Sequence, residues 1–152
     1  MATLKISDLS VGDWVRCGKW NGRIQRIAMH DGETVEVIIE ADLGRLYMYK
    51  QIDEIDSIPI TAEILEKNGF TRRSGELPIY EYTTLLGKML RNTVVSLDRP
   101  DSYIVCRIED TSKDVNDFGR IPVNIWNERI PIHIHDLQHA LRLAGIDKEI
   151  YL

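Results

Sequence analysis

Four side chains able to bind a metal ion crowd into seven residues: His133, His135, Asp136 and His139. On a helix, His135 and His139 stand one turn apart at i and i+4, where two imidazoles can reach one ion. A third ligand would come from His133, from Asp136 or from elsewhere, and the chemistry would be metal-assisted hydrolysis. The zincin pattern H-E-x-x-H is absent. Helix starts also collect His and Asp, for hydrogen bonding and to meet the helix dipole. The histidines therefore stand as candidates, and no metal or other cofactor is expected.

A second constellation is basic. Arg16, Lys19, Arg23 and Arg26 follow one another without an acid between them, and Trp14 and Trp20 are interleaved. On a hairpin such residues can offer cations to phosphates and indoles to bases. They also suit protein contacts, which favour Trp, Tyr and Arg. Glu33, Glu36 and Glu40 follow on the next predicted strand and can pair across to the arginines. Trp14, beside Val11 and Val15, is expected in the core. Trp20, beside Asn21-Gly22, is expected either to cover the interface with the second unit or to contact a partner. The pairs Tyr47/Tyr49 and Tyr80/Tyr82 are read as half-buried sheet residues.

Nucleophilic chemistry has little support. Cys106 alternates with Ile104 and Ile108, which predicts a core thiol, and Cys17 precedes Gly18 on a hairpin. Glycine-rich phosphate loops, a G-x-S-x-G elbow and CxxC pairs are all missing from the sequence. No catalytic residue is assigned.

The elements that would position these residues begin with a β-meander. Asp13–Trp20 and Arg23–Met29 are predicted as strands around an Asn21-Gly22 type I′ turn. Ile24 and Ile27 break strict alternation, which a bulge explains. Asp31-Gly32 predicts a second turn, and Thr34–Ala41 a strand with Val35, Val37, Ile39 and Ala41 on one face. Asp42-Leu43-Gly44 turns the chain into a strand at Arg45–Lys50, and Ile52, Ile55 and Ile58 suit a short 3₁₀ turn or an irregular last strand. Leu9-Ser10-Val11-Gly12-Asp13-Trp14-Val15 resembles the opening of a Src-homology-3-like small barrel, an opening shared by unrelated functions.

A second unit starts near Pro59. Thr61 is a predicted N-cap, Ile60 and Leu65 a hydrophobic staple, Ala62–Asn68 a short helix and Gly69 its end. Strands are predicted at Ile79–Leu86, Thr93–Leu97, Tyr103–Glu109 and Arg120–Asn127. Arg72–Glu76 and Thr111–Gly119 are predicted loops, and Arg99–Ser102 a hairpin turn. After Ile130, Ile132 and Ile134 the period changes. A helix then buries Leu137, Ala140, Leu141 and Ala144 and stops at Gly145. The predicted class is α+β, with a small antiparallel barrel or half-barrel over 1–57 and a helix–sheet–helix unit over 58–152.

Composition bounds the rest. With 43% hydrophobic and 28% charged residues, 152 residues suffice for a core without staples. The two cysteines cannot make a disulfide framework, and the apolar runs fall far short of the roughly 18 residues that span a bilayer. The first residues lack a secretion signal, so a cytoplasmic location is expected and a membrane partner is not. A net charge of −5 argues against general adhesion to nucleic acid or anionic lipid.

Two stretches carry a resemblance. Ile58-Pro59-Ile60-Thr61-Ala62-Glu63-Ile64-Leu65-Glu66-Lys67-Asn68-Gly69-Phe70 resembles the I-P-L-T-x-E-x-L-x-x-x-G-F segment of a family of small proteins. Ile134-His135-Asp136-Leu137-Gln138-His139-Ala140-Leu141-Arg142-Leu143-Ala144-Gly145 resembles the V-H-x-L-Q-N-x-x-x-x-L-T-G ending of the same family. Its members occur in prophages and mobile elements of anaerobic gut bacteria and have no assigned activity. The resemblance implies context and supplies no reaction. It departs at His139, where the family pattern has Asn, which weakens a His135–His139 metal pair.

The expected function is a non-enzymatic accessory module binding a protein partner, with Trp20, Arg16, Lys19, Arg23 and Arg26 as its contact residues. Nucleic-acid binding by the Arg16–Arg26 hairpin is the runner-up, and a metal-dependent hydrolase built on the histidines comes third. Self-association through strand edges is left open.

Overall fold

The structure is a computed structural model that describes residues 4–30, 32, 34–98, 102–111, 123–126 and 132–152. The chain divides into two compact units, Met1–Pro59 with His133–His135, and Ile60–Ile132 with Asp136–Leu152. Both units combine antiparallel sheet with short helical segments, so the class is α+β. Among the described residues no helix is long and apolar enough to cross a membrane.

In the first unit, β1 (Trp14–Cys17), β2 (Trp20–His30), β3 (Thr34–Ala41) and β4 (Leu46–Gln51) form a sheet in sequence order. Just before β1, Gly12 adopts a φ of 91° and the buried Asp13 carboxylate accepts from the Ser10 N–H at 2.7 Å. That carboxylate satisfies a backbone donor where the chain enters the sheet. The core below β1–β3 is Leu9, Val15, Cys17, Ile24, Val37, Ile39 and Ile55. Val37, Ile39 and Ala41 alternate inward as expected for a strand with one buried face.

The first hairpin corrects the predicted turn. Cys17 pairs with Trp20, so the chain reverses at Gly18-Lys19, and Asn21 and Gly22 lie inside β2. Gly18 takes a φ of +56°, the geometry of a II′ turn with glycine at its first central position. Gly22 is needed for another reason. It pairs with both Val15 and Ala41, and a Cβ there would stand 2.5 Å from Ile39 Cγ2 and 2.7 Å from the Glu40 carbonyl oxygen. Gly87-Lys88 repeats the device between Leu86 and Met89, with Gly87 at φ +61°, a turn that sequence patterning missed.

The sheet is open. Among the described residues β1 meets one isolated bridge on its outer edge, Arg16 with Asp56, through backbone bonds of 2.9 and 2.8 Å. The 3₁₀ turn Ile52–Glu54 delivers that segment, and Glu54 closes the turn by accepting from the Gln51 N–H at 2.9 Å. Pairing with β1 does not extend beyond that bridge among the described residues, so of the expected barrel or half-barrel the closed form is not found.

In the second unit, α1 (Ala62–Lys67) starts at the Thr61 cap, whose Oγ1 accepts from the Ile64 N–H at 3.3 Å. The sheet is a five-stranded meander of β5 (Thr71–Arg72), β6 (Ile79–Leu86), β7 (Met89–Ser96), β8 (Tyr103–Asp110) and β9 (Val123–Trp126). Thr93, Val94, Val95 and Ser96 are buried in succession, so that end of β7 is covered on both faces. α2 (Ile134–Leu143) buries Leu137, Ala140 and Leu141, and Gly145 follows at φ +64°. β5 takes in Arg72, the first residue of the segment predicted as loop, and β9 is the described part of the strand predicted at Arg120–Asn127, whose other residues lie outside the described residues. Arg99, Pro100 and Asp101 of the predicted hairpin turn, Asp31, Ile130 and most of the Thr111–Gly119 loop lie outside the described residues.

The buried Asn68 ties the end of α1 to the last residues. Its amide donates to the Ile64 and Tyr151 carbonyls at 2.8 and 2.7 Å and accepts from the Tyr151 N–H at 2.8 Å. Replacing it by alanine would orphan these backbone groups, so Asn68→Ala should lower unfolding free energy by about 2–3 kcal/mol. Gly22→Ala should cost about 1–3 kcal/mol, since the added methyl meets backbone and a core side chain. Urea unfolding followed by circular dichroism measures both, and an unchanged midpoint would contradict either expectation.

Candidate functional site

The outer face of the first sheet gathers the basic residues, and a bulge is what gathers them. β2 and β3 pair Ile24 with Ile39 and then Arg26 with Ile38, so Gln25 is an extra residue. Without it, residues three apart would point to opposite faces. With it, Ile24 and Ile27 both turn toward the core while Arg23 and Arg26 both stay outside.

Cross-strand pairs share a face, so register defines rows. One outer row is Trp14, Arg23, Glu40 and Tyr47; the next contains Arg26, Ile38 and Tyr49. The Arg23 guanidinium lies 4.8 Å from the centre of the Trp14 ring, a cation–π stack. Arg16 is outside as well, its Nε donating to Asn21 Oδ1 at 3.3 Å. Tyr47 and Tyr49, expected to be half-buried, are instead 54% and 64% exposed, because Met48 between them takes the inward position against the core.

Both tryptophan expectations need correction as well. Trp14 is half-buried on the outer face rather than in the core, because β1 alternates and Val15 and Cys17 take the inward positions. Trp20 does not join the arginines. It pairs with the inward Cys17 and therefore belongs to the opposite face, at the hairpin end, 37% exposed and 5.2 Å from Lys19 Nζ. The structure thus brings Arg16, Arg23 and Arg26 together with Trp14, Tyr47 and Tyr49, and leaves Lys19 and Trp20 at the tip. The alternation Tyr47-Met48-Tyr49 was the available sign for the tyrosines, but which face it put outward depended on register. Tyr80, by contrast, is buried, and Tyr82 lies 5.4 Å from Phe70 with Lys148 Nζ 5.1 Å from its ring.

The histidines arrange differently from an i, i+4 helical pair. His133 sits in an isolated bridge with Pro59, and the Ile134 N–H donates to the Ile58 carbonyl at 2.8 Å. That extended entry places the His133 and His135 rings parallel, 5.6 Å apart with 3° between planes. Asp136 completes the group, with ligand atoms of all three residues within 4.8 Å of one another. His139, half-buried one turn further along α2, is not part of it.

Cys17 and Cys106 are both buried and unpaired as disulfides. Thr93 Oγ1 lies 3.3 Å from Cys106 Sγ, which also approaches the Ala140 carbonyl at 3.7 Å. Burial pushes the Cys106 thiol above its ordinary value, and the Thr93 hydrogen bond only partly offsets it. A thiol held protonated in a packed core is a poor nucleophile.

No family model matches the chain, and neither a curated protein nor a solved structure matches it.

With its thiol pKa raised in the fold, Cys106 favours the native state until pH climbs past the ordinary thiol range. There the unfolded chain releases the proton first, and stability falls. Ellman's reagent should modify the folded chain slowly near neutral pH and both cysteines rapidly in urea. Fast modification of Cys106 without unfolding would contradict its placement in the core.

Proposed function

We propose that this chain is a binding module that docks an acidic segment of a protein partner on the outer face of its N-terminal sheet. The observation that carries the reading is the gathering of Arg16, Arg23 and Arg26 with Trp14, Tyr47 and Tyr49 on one face. Arginine and the large aromatics supply most binding energy at protein contacts, through broad rigid surfaces and directed hydrogen bonds. Three guanidinium groups favour carboxylates. Glu36 and Glu40 on the same face break up the positive field, which suits a patterned protein surface better than a uniformly charged phosphate chain. The net charge of −5 points the same way.

A Src-homology-3-like relationship for this unit belongs to the same proposal. It is supported by the Leu9–Val15 opening, four meandering strands, and a 3₁₀ turn that leads residue 56 back to β1. A role as an accessory protein of a mobile element rests on the two sequence stretches given above.

The test is selection of a random-peptide display library on the full-length chain, followed by titration of enriched peptides against wild type and an Arg26→Glu/Tyr49→Ser double variant. Both residues are exposed, so the variant should fold. Acidic peptides should enrich and bind the variant roughly tenfold more weakly, the cost of one interface anchor. No enrichment, or equal affinity for both proteins, would remove the proposal. In parallel, a mixed-sequence single-stranded DNA should show no binding at roughly 50 mM salt. Salt-sensitive DNA binding abolished in the variant would replace the protein reading with the nucleic-acid one.

A further inference from the structure

We infer that His133, His135 and Asp136 form a site for one divalent transition-metal ion, held by two imidazole nitrogens and one carboxylate oxygen. All three residues lie within four consecutive positions, so local backbone geometry sets their spacing. His133 is in extended backbone and His135 in the first turn of α2, and their rings face each other at 5.6 Å. Ile134 between them is fully buried and its N–H is bonded to Ile58, which fixes the backbone from which both rings project. His135 itself is only 4% exposed, so its ring has little freedom to swing away.

The donor set selects the ion. Two imidazoles and a carboxylate suit zinc and its first-row neighbours better than the all-oxygen shells of calcium or magnesium. Three protein ligands leave a coordination position for water, as open sites do. An ion cannot lie in the planes of two parallel rings this far apart. One ring must turn, and His133 can: it is half-buried, and rotation about χ2 of histidine is soft. Asp136 is also half-buried and can follow, drawing donors now spread over up to 4.8 Å to the roughly 3.3 Å that bonds of about 2.0–2.1 Å require. His135 is the fixed anchor, and the other two close onto the ion. The site is separate from the docking face proposed above and does not depend on it.

Calorimetric titration of the chelator-treated, full-length chain with zinc chloride tests the inference. One ion should bind per chain. His133→Gln and Asp136→Asn should each weaken binding roughly tenfold or more, while His139→Asn should leave it unchanged. Cobalt added to the wild type should develop the visible d–d bands of a low-coordinate nitrogen–oxygen site, a readout that needs no variant. Absence of zinc binding, absence of those bands, undiminished affinity in both His133→Gln and Asp136→Asn, or an equal loss in His139→Asn would each overturn the site.

Discussion

One extra residue in β2 decides what the N-terminal sheet can present. Strand geometry sends neighbours to opposite faces, so Arg23 and Arg26 would be separated in a regular strand, and so would Ile24 and Ile27. The bulge at Gln25 shifts the register by one and resolves both conflicts together. Ile24 sits at the centre of the core and Ile27 packs at its margin, while the two arginines stay outside with Trp14, Tyr47 and Tyr49. Hydrophobic burial drives this choice, because exposing the fully buried Ile24 would cost about 1.5–3 kcal/mol. The composition of the outer face is a consequence.

The same strand also runs very close to both neighbours, β1 and β3, at Gly22. Gly22, three residues before the extra position, pairs with both flanking strands and has no room for a side chain. Here glycine serves a tight inter-strand contact. The reversal that an Asn-Gly pair would ordinarily make falls instead to Gly18, whose positive φ accommodates a II′ turn. Two glycines four residues apart thus divide the work of bending and of packing.

The second unit is held by buried polar groups that find partners. Asn68 joins the end of α1 to the backbone of Tyr151, residues 83 positions apart. Thr93 and Cys106 face each other across β7 and β8, and the Cys106 thiol also approaches the carbonyl of Ala140 in α2. Arg91 donates to the Gly145 carbonyl where α2 ends. Such contacts fix register as much as they stabilise, since a one-residue slip of β7 would bury charged or amide side chains.

Periodicity and capping chemistry were legible in the sequence. Thr34–Ala41 and Ile79–Leu86 are strands as read, Thr61 caps α1, and α2 buries Leu137 and Leu141. These features are local: alternation, a 3.6-residue stripe or a hydroxyl beside a helix start acts within a few residues. What tertiary structure alone decided were choices between local options of similar cost. Gly18 won the turn over Asn21-Gly22 because packing against Ile39 claimed Gly22. Trp14 and Trp20 parted company because cross-strand register assigns faces. The histidine group took Asp136 and left out His139 because the bridge between Pro59 and His133 set the chain's approach to α2. Each outcome depends on contacts between residues distant in sequence, whose energy no local pattern contains.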